Sequence, residues 1–191
     1  DGLGHEINPH TLETAGKWDW YGALRSETFT AHPRVDPATG ELFFFGYEAA
    51  GLASPEVSFC IADKHGNLTK EEWFTAPYCS WMHDFAVTKD YILFPVFPAT
   101  ADAQRMKTGG PHWIYEPDKQ ALFGIMPRGG SVKDMRWFRR PACFSFHFMN
   151  AHSEGGRVHI DFGVGSMHPF PFVREDSGIH VRPDEMDSKY M

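Results

Sequence analysis

The chain has 191 residues, of which 42% are hydrophobic and 15% aromatic, enough apolar side chain for a real core and too much for a disordered segment. Its formal net charge of −7, with no Lys/Arg run, argues against nucleic acid or an anionic membrane as the main partner. No stretch approaches the ~18 apolar residues of a transmembrane segment, and no signal peptide is visible.

Taken in chain order, the pattern is all-β. Short runs of aromatic and β-branched residues alternate with turn signals, which predicts strands over 29–32, 42–48, 56–62, 81–88, 91–97, 112–116, 121–126, 142–150 and 157–162. The links read as tight hairpins: Asp36-Pro37-Ala38-Thr39-Gly40, Lys64-His65-Gly66-Asn67, Thr88-Lys89-Asp90 and Glu154-Gly155-Gly156. No segment holds a 3.6-residue apolar stripe for a dozen residues, and 131–138 predicts one helical turn at most. Residues 173–191 are polar and read as a loop or tail. Cys60, Cys79 and Cys143 lack C-x-x-C spacing, an odd and scattered set that fits a reducing, cytoplasmic compartment better than a disulfide framework.

Three histidines sit in distinctive phrases: His32 in Thr30-Ala31-His32-Pro33-Arg34, His83 in Trp81-Met82-His83-Asp84-Phe85, and His147 in Phe146-His147-Phe148-Met149-Asn150. The intervals 32 to 83 and 83 to 147 are far too wide for a zinc knuckle or a helical His pair. They lie near the ~40–50 residues at which a β-propeller returns to its axis. One imidazole from each of several blades is a way to build an all-nitrogen metal site. Strand groups starting near 29, 81 and 142 amount to about three blades over 1–172. Propellers close with about 4–8 blades, and the chain opens on Asp1-Gly2-Leu3-Gly4 without a Met, so the expectation is an internal fragment of something larger.

These phrases resemble those of the carotenoid cleavage oxygenase family, and within it the bacterial lignostilbene dioxygenases. The matching text is Phe29-Thr30-Ala31-His32-Pro33 with Asp36-Pro37 and Thr39-Gly40-Glu41, then His83-Asp84-Phe85-Ala86-Val87-Thr88 followed by Tyr91-Ile92, then Phe146-His147 with Asn150-Ala151. Between the last two lie Ile125-Met126-Pro127-Arg128-Gly129-Gly130 and Met135-Arg136-Trp137-Phe138. The resemblance implies a seven-bladed β-propeller in which four axial histidines hold Fe(II). It also implies a reaction in which O2 splits a conjugated carbon–carbon double bond into two carbonyls. Three of the four ligands map onto His32, His83 and His147; the fourth ligand, the second-shell glutamates and the N-terminal substrate contacts have no counterpart in this span. Substrate-binding residues are therefore not assigned. One local departure follows the third ligand, where the acidic residue after Asn150-Ala151 stands at Glu154, one place later than is usual in the family.

Imidazole suits first-row divalent metals in general, so ligand type alone does not select iron. Asp84 adjoins His83 but, in a strand, would point to the opposite face, as a hydrogen-bonding residue rather than a base. Phe85, Phe146, Phe148 and Trp81 suit a dry pocket for a planar conjugated substrate, yet strand alternation turns Phe146 and Phe148 away from His147 and into the core. Arg128-Gly129-Gly130 reads as a solvated loop. A single histidine in a strand is more often structural than ligating, and His5, His10, His65, His112, His152, His159, His168 and His180 keep that reading. No G-x-S-x-G, no Cys–His pairing and no phosphate-cradling glycine loop supports other chemistry. The reading is thus a non-haem Fe(II) dioxygenase acting on O2 and a hydrophobic conjugated stilbene-type substrate. The alternatives are apocarotenoid cleavage, polyene ester isomerisation at the same iron, or a non-catalytic propeller segment.

Overall fold

The computed structural model describes residues 2–166, 170 and 173–175. Two four-stranded antiparallel sheets dominate it. The first joins Arg34–Val35, Leu42–Gly46, Glu56–Ala62 and Leu68–Thr75 in chain order; the second joins Ala86–Val87, Tyr91–Val96, Ala121–Pro127 and Arg136–Arg140 in the same way. A two-stranded hairpin, Phe148–Glu154 with Arg157–Phe162, follows them. Smaller pieces are the hairpin His5–Ile7/Thr14–Lys17 and a three-stranded patch of Ala99–Thr100, Ile114–Tyr115 and Arg174–Glu175. Among the described residues helix is confined to Ala103–Lys107 and a 3-10 turn at Val132–Asp134. Among the described residues no helix is long and apolar enough to cross a membrane.

Continuous apolar runs make sense because the sheets are buried on both faces. In Leu42–Gly46, Phe43 and Phe45 join the core shared with the second sheet, while Phe44 turns the other way onto Cys60, Ala62 and Leu24. Tyr91–Val96 repeats the device: Ile92, Phe94 and Val96 face the first sheet, and Leu93 faces a third cluster with Phe97, Phe123 and Phe144. Phe94 is fully buried among the rings of Phe45, Phe59, Phe74 and Phe85. Pro95 stands opposite Phe123 in the ladder with Ala121–Pro127, beyond the point where pairing with Ala86–Val87 ends at Leu93, so on that second side it has no ladder to interrupt.

Several predicted strands need correction. Leu68–Thr75 and Arg136–Arg140 are strands where the charged runs Lys70-Glu71-Glu72 and Arg139-Arg140 had masked the pattern. Both are outer edge strands, where charge discourages pairing with another chain. The helical turn read over 131–138 is therefore a 3-10 turn followed by a strand. Of the expected tail, Arg174–Glu175 pairs in parallel with Ile114–Tyr115, and 176–191 lie outside the described residues. The hairpin turns were read correctly, with Gly40 at φ 74° and Gly155 and Gly156 at 57° and 75°.

Strand direction sorts the connections. At one end of the sheets lie the tight turns 36–41, 63–67, 88–90 and 155–156 together with the one longer link 128–135, and the long excursions 47–55, 76–85, 97–120 and 141–147 lie at the other. The segment before the first sheet joins that second end: Thr30 N–H donates to the Phe45 carbonyl at 2.8 Å and the Thr28 hydroxyl to the Tyr47 carbonyl at 2.6 Å. Gly46 permits this approach, since a Cβ there would come within 2.5 Å of Ser26 Oγ and Thr28 Oγ1.

Two outcomes follow from this packing. Phe94→Ala should lower stability by ~3–5 kcal/mol and Gly46→Ala by ~1–3 kcal/mol, read from urea unfolding midpoints. All three cysteines are buried and free, and burial pushes the Cys79 thiol up to about 12. A thiol reagent at pH 8 should accordingly find almost no reactive cysteine in the native protein and all three after unfolding.

Candidate metal centre

The three motif histidines are not in strands, as had been expected, but in the extended turns that feed them. His32 precedes Arg34–Val35, His83 precedes Ala86–Val87, and His147 precedes Phe148–Glu154. Each of those is the first strand of its sheet, and each begins at the end carrying the long excursions. Three separate chain segments therefore arrive side by side, with their imidazoles above the strand starts.

The rings form a nearly equilateral triangle. Centroid distances are 4.7 Å for His32–His83, 4.7 Å for His32–His147 and 5.0 Å for His83–His147, with the planes inclined by 71°, 77° and 62°. One ring nitrogen from each lies within 4.8 Å of the other two. His32 Nε2 and His83 Nε2 are 3.0 Å apart. Two adjacent octahedral ligands on a first-row ion, each bound at ~2.1 Å, stand about 3.0 Å from each other, so this pair already has the bite of a metal site. Burial lowers the pKa of His32, with His147 and Arg34 adding to the effect against the pull of Asp84; burial, His32 and His147 lower that of His83. Both effects favour neutral imidazoles with free lone pairs, the form that ligates.

His83 Nδ1 is buried and has no hydrogen-bond partner among the described residues. Ligating histidines normally donate that second N–H to a carboxylate or carbonyl. An Nδ1 with no partner among the described residues, behind a converging Nε2, leaves that N–H free for an outer carboxylate or carbonyl of the kind ligating histidines use. The donor set and its spacing thus suit a divalent ion held by imidazole nitrogens.

Asp84 organises the turns rather than any ring. It is 2% exposed. Its Oδ1 accepts from Arg34 Nη2 at 2.5 Å and from its neighbour Phe85 N–H at 2.8 Å, and its Oδ2 accepts from Phe148 N–H at 2.9 Å. Arg34 also reaches the Phe85 carbonyl through Nε at 3.4 Å and Nη2 at 3.3 Å. Further local bonds hold the backbone: His32 N–H donates to Thr30 Oγ1 at 3.1 Å, and Ser145 Oγ donates to the His147 carbonyl at 3.0 Å. Pro33 disfavours helical backbone at His32 and keeps that turn extended.

Aromatic side chains wall the centre. Contrary to the strand-alternation reading, Phe146 lies beside it, 5.4 Å from the His83 ring and 4.8 Å from Phe170. Trp81 stands 5.7 Å from Phe146 and stacks on Trp113 at 5.4 Å. Phe148 packs on Phe162 and Phe85 on Phe45, as core. Beyond the histidines a cavity of about 660 Å³ opens between the first strands, lined by Arg34, Val35, Val87, Thr88, Ala151 and His152.

Other expected bystanders have definite places. Arg128 is not solvated: it pairs with Asp36 and lies over the Phe43 ring at 4.7 Å. His112 meets buried Glu48 at 2.7 Å, joining two of the long excursions, a pairing that residues 64 apart did not signal. His152 stacks on its cross-strand partner His159. His168 and His180 lie outside the described residues.

An all-β chain in which three sheets each begin beside one imidazole of a shared cluster presents the donor set of an all-nitrogen metal site. Comparison narrows it: residues 1–187 match the family described as retinal pigment epithelial membrane protein, RPE65. The chain belongs to this family, that of the carotenoid cleavage oxygenases. It is 45% identical over 172 residues to isoeugenol monooxygenase of Pseudomonas putida, covering 90% of this chain and 36% of that protein. It is 38% identical to lignostilbene-alpha,beta-dioxygenase isozyme III of Sphingomonas paucimobilis, covering 93% and 37%. The crystal structure of Pseudomonas brassicacearum lignostilbene dioxygenase superposes with a TM-score of 0.90 at 43% identity, over 97% of this chain and 39% of that one. The chain thus spans a little over a third of the length of these relatives.

Proposed function

We propose that the natural protein is a non-haem Fe(II)-dependent oxygenase that uses O2 to cleave an alkene conjugated to a phenol ring, giving two aldehydes. The observation that carries this reading is the convergence of His32, His83 and His147, with two ring nitrogens already at the spacing of adjacent ligands. These residues would hold the iron, and the two four-stranded sheets with the following hairpin would be successive blades of a propeller around it. When bound, the iron supplies a site for O2 next to the alkene, and the alkene supplies the electrons, so no external reductant is required. One alkene and one O2 account for every atom of two carbonyl products.

The chain's own residues exclude water and orient the substrate. Trp81, Phe146 and Phe170 offer flat apolar faces beside the ligands, suited to a planar conjugated molecule. The neutral state of His32 and His83 keeps their nitrogens available as ligands instead of as proton donors. The substrate class leans on the relatives: isoeugenol and lignostilbene share a phenol conjugated to the double bond, and this chain is as much as 45% identical to proteins named for them. Three buried free thiols favour a reducing, cytoplasmic setting.

Metal analysis of the anaerobically purified natural protein should find about one iron per chain. His83→Ala should lose most of that iron, and O2-dependent cleavage of a 4-hydroxystilbene or isoeugenol should fall by ~100-fold or more. His65→Ala, at an exposed turn, should match wild type in both. Cleavage that survives His83→Ala with no bound iron sinks the proposal, and a wild type without iron or O2 uptake leaves a non-catalytic propeller as the answer.

A further inference from the structure

Asp84 is a buried carboxylate with no donor among the three rings, and its contacts follow a pattern. Every donor it accepts from lies within two residues of a motif histidine: Arg34 follows His32 by two positions, Phe85 follows His83 by two, and Phe148 follows His147 by one. Both oxygens are engaged, one by Arg34 and Phe85 and the other by Phe148. The side chains of Arg34 and Asp84 are 38% and 3% exposed, so the anion is buried while the cation reaches toward solvent. Arg34 then doubles the link by donating to the Phe85 carbonyl. One carboxylate and one guanidinium thereby join all three histidine turns, which approach from positions 50 and 64 residues away along the chain.

We propose that Asp84 and Arg34 are a positioning pair for the metal centre: they set the spacing of the three imidazole-bearing turns and so the bite of the ligand set. This rests on reading His32, His83 and His147 as ligands. The physical basis is directional. A carboxylate is acceptor-only and offers two oxygens with about four lone-pair directions, so a single group can fix three donors at defined angles. An asparagine of the same shape offers one acceptor oxygen and turns an amide NH2 toward a donor on the other side. It would have to release either Arg34 and Phe85 or Phe148. Releasing Phe148 frees the backbone beside His147, the most exposed of the three rings, and no other described hydrogen bond joins Phe148 N–H to the His83 turn.

The test uses cobalt(II) as the probe in the intact natural protein, because its visible bands report ligand geometry independently of turnover. Wild type should bind about one cobalt with a defined band pattern. Asp84→Asn, shown to be folded by circular dichroism at low temperature, should bind about tenfold more weakly or worse, with shifted bands. Arg34→Lys keeps the charge and loses the fork that spans Asp84 and the Phe85 carbonyl. It should shift both readouts in the same direction by less, and it decides the matter if Asp84→Asn does not fold. A merely structural role would lower the unfolding temperature and leave affinity and bands unchanged in the folded variants; that result overturns the proposal while the ligand assignment stands. A wild type that takes up no cobalt overturns the ligand assignment and the proposal with it.

Discussion

The hydrogen bonds of Asp84 are the constraint on which the rest of the centre depends. A carboxylate at 2% exposure is costly to bury unless charge and lone pairs are answered by protein donors. Here they are answered by a guanidinium and two backbone N–H groups drawn from three chain segments. The desolvation cost therefore works as a specificity device: the carboxylate is satisfied only when all three turns are in place.

The sheets deliver those turns by a simple division of labour. At one end four short turns, built on Asp36-Pro37, Lys64-His65-Gly66, Thr88-Lys89-Asp90 and Gly155-Gly156, hold register, and Asp36 and Asp90 also bind Arg128 and Ser153 of other segments. At the other end the connections lengthen and carry the histidines, Trp81, Phe146 and the Glu48–His112 pair. The core explains why this end is steady enough to hold a ligand set. Phenylalanines of the central strands point alternately into two different interfaces, so each sheet is clamped on both faces. Gly46 extends the clamp by letting the 26–30 segment lie against the first sheet, and that segment leads directly into His32.

Much of the architecture was legible in the chain because hairpins leave local marks. Glu56–Ala62 and Arg157–Phe162 carry their own alternation or apolar density and were read to the residue. Leu68–Thr75 and Arg136–Arg140 were missed because an edge strand needs only one apolar stripe and gains from charge, so it does not look like its neighbours. Phe146 was assigned to the core because strand alternation was extended through a stretch that is a turn. Once the backbone leaves the pleat, the two-residue period no longer says where a side chain points.

By itself the sequence determined that the fold is β, where the short turns fall, and that three histidines stand in phrases too specific to be ordinary core positions. Those are properties of single segments, and each is written within about ten residues. Only the tertiary structure decided that the three imidazoles meet with Nε2 atoms 3.0 Å apart, that Asp84 ties their turns together through Arg34 and Phe148, and that Arg128 and His112 have acidic partners. These pairings join residues separated by 50 to 92 positions. Such a separation leaves no periodic trace, because the groups become neighbours only after sheet stacking has fixed where each turn ends.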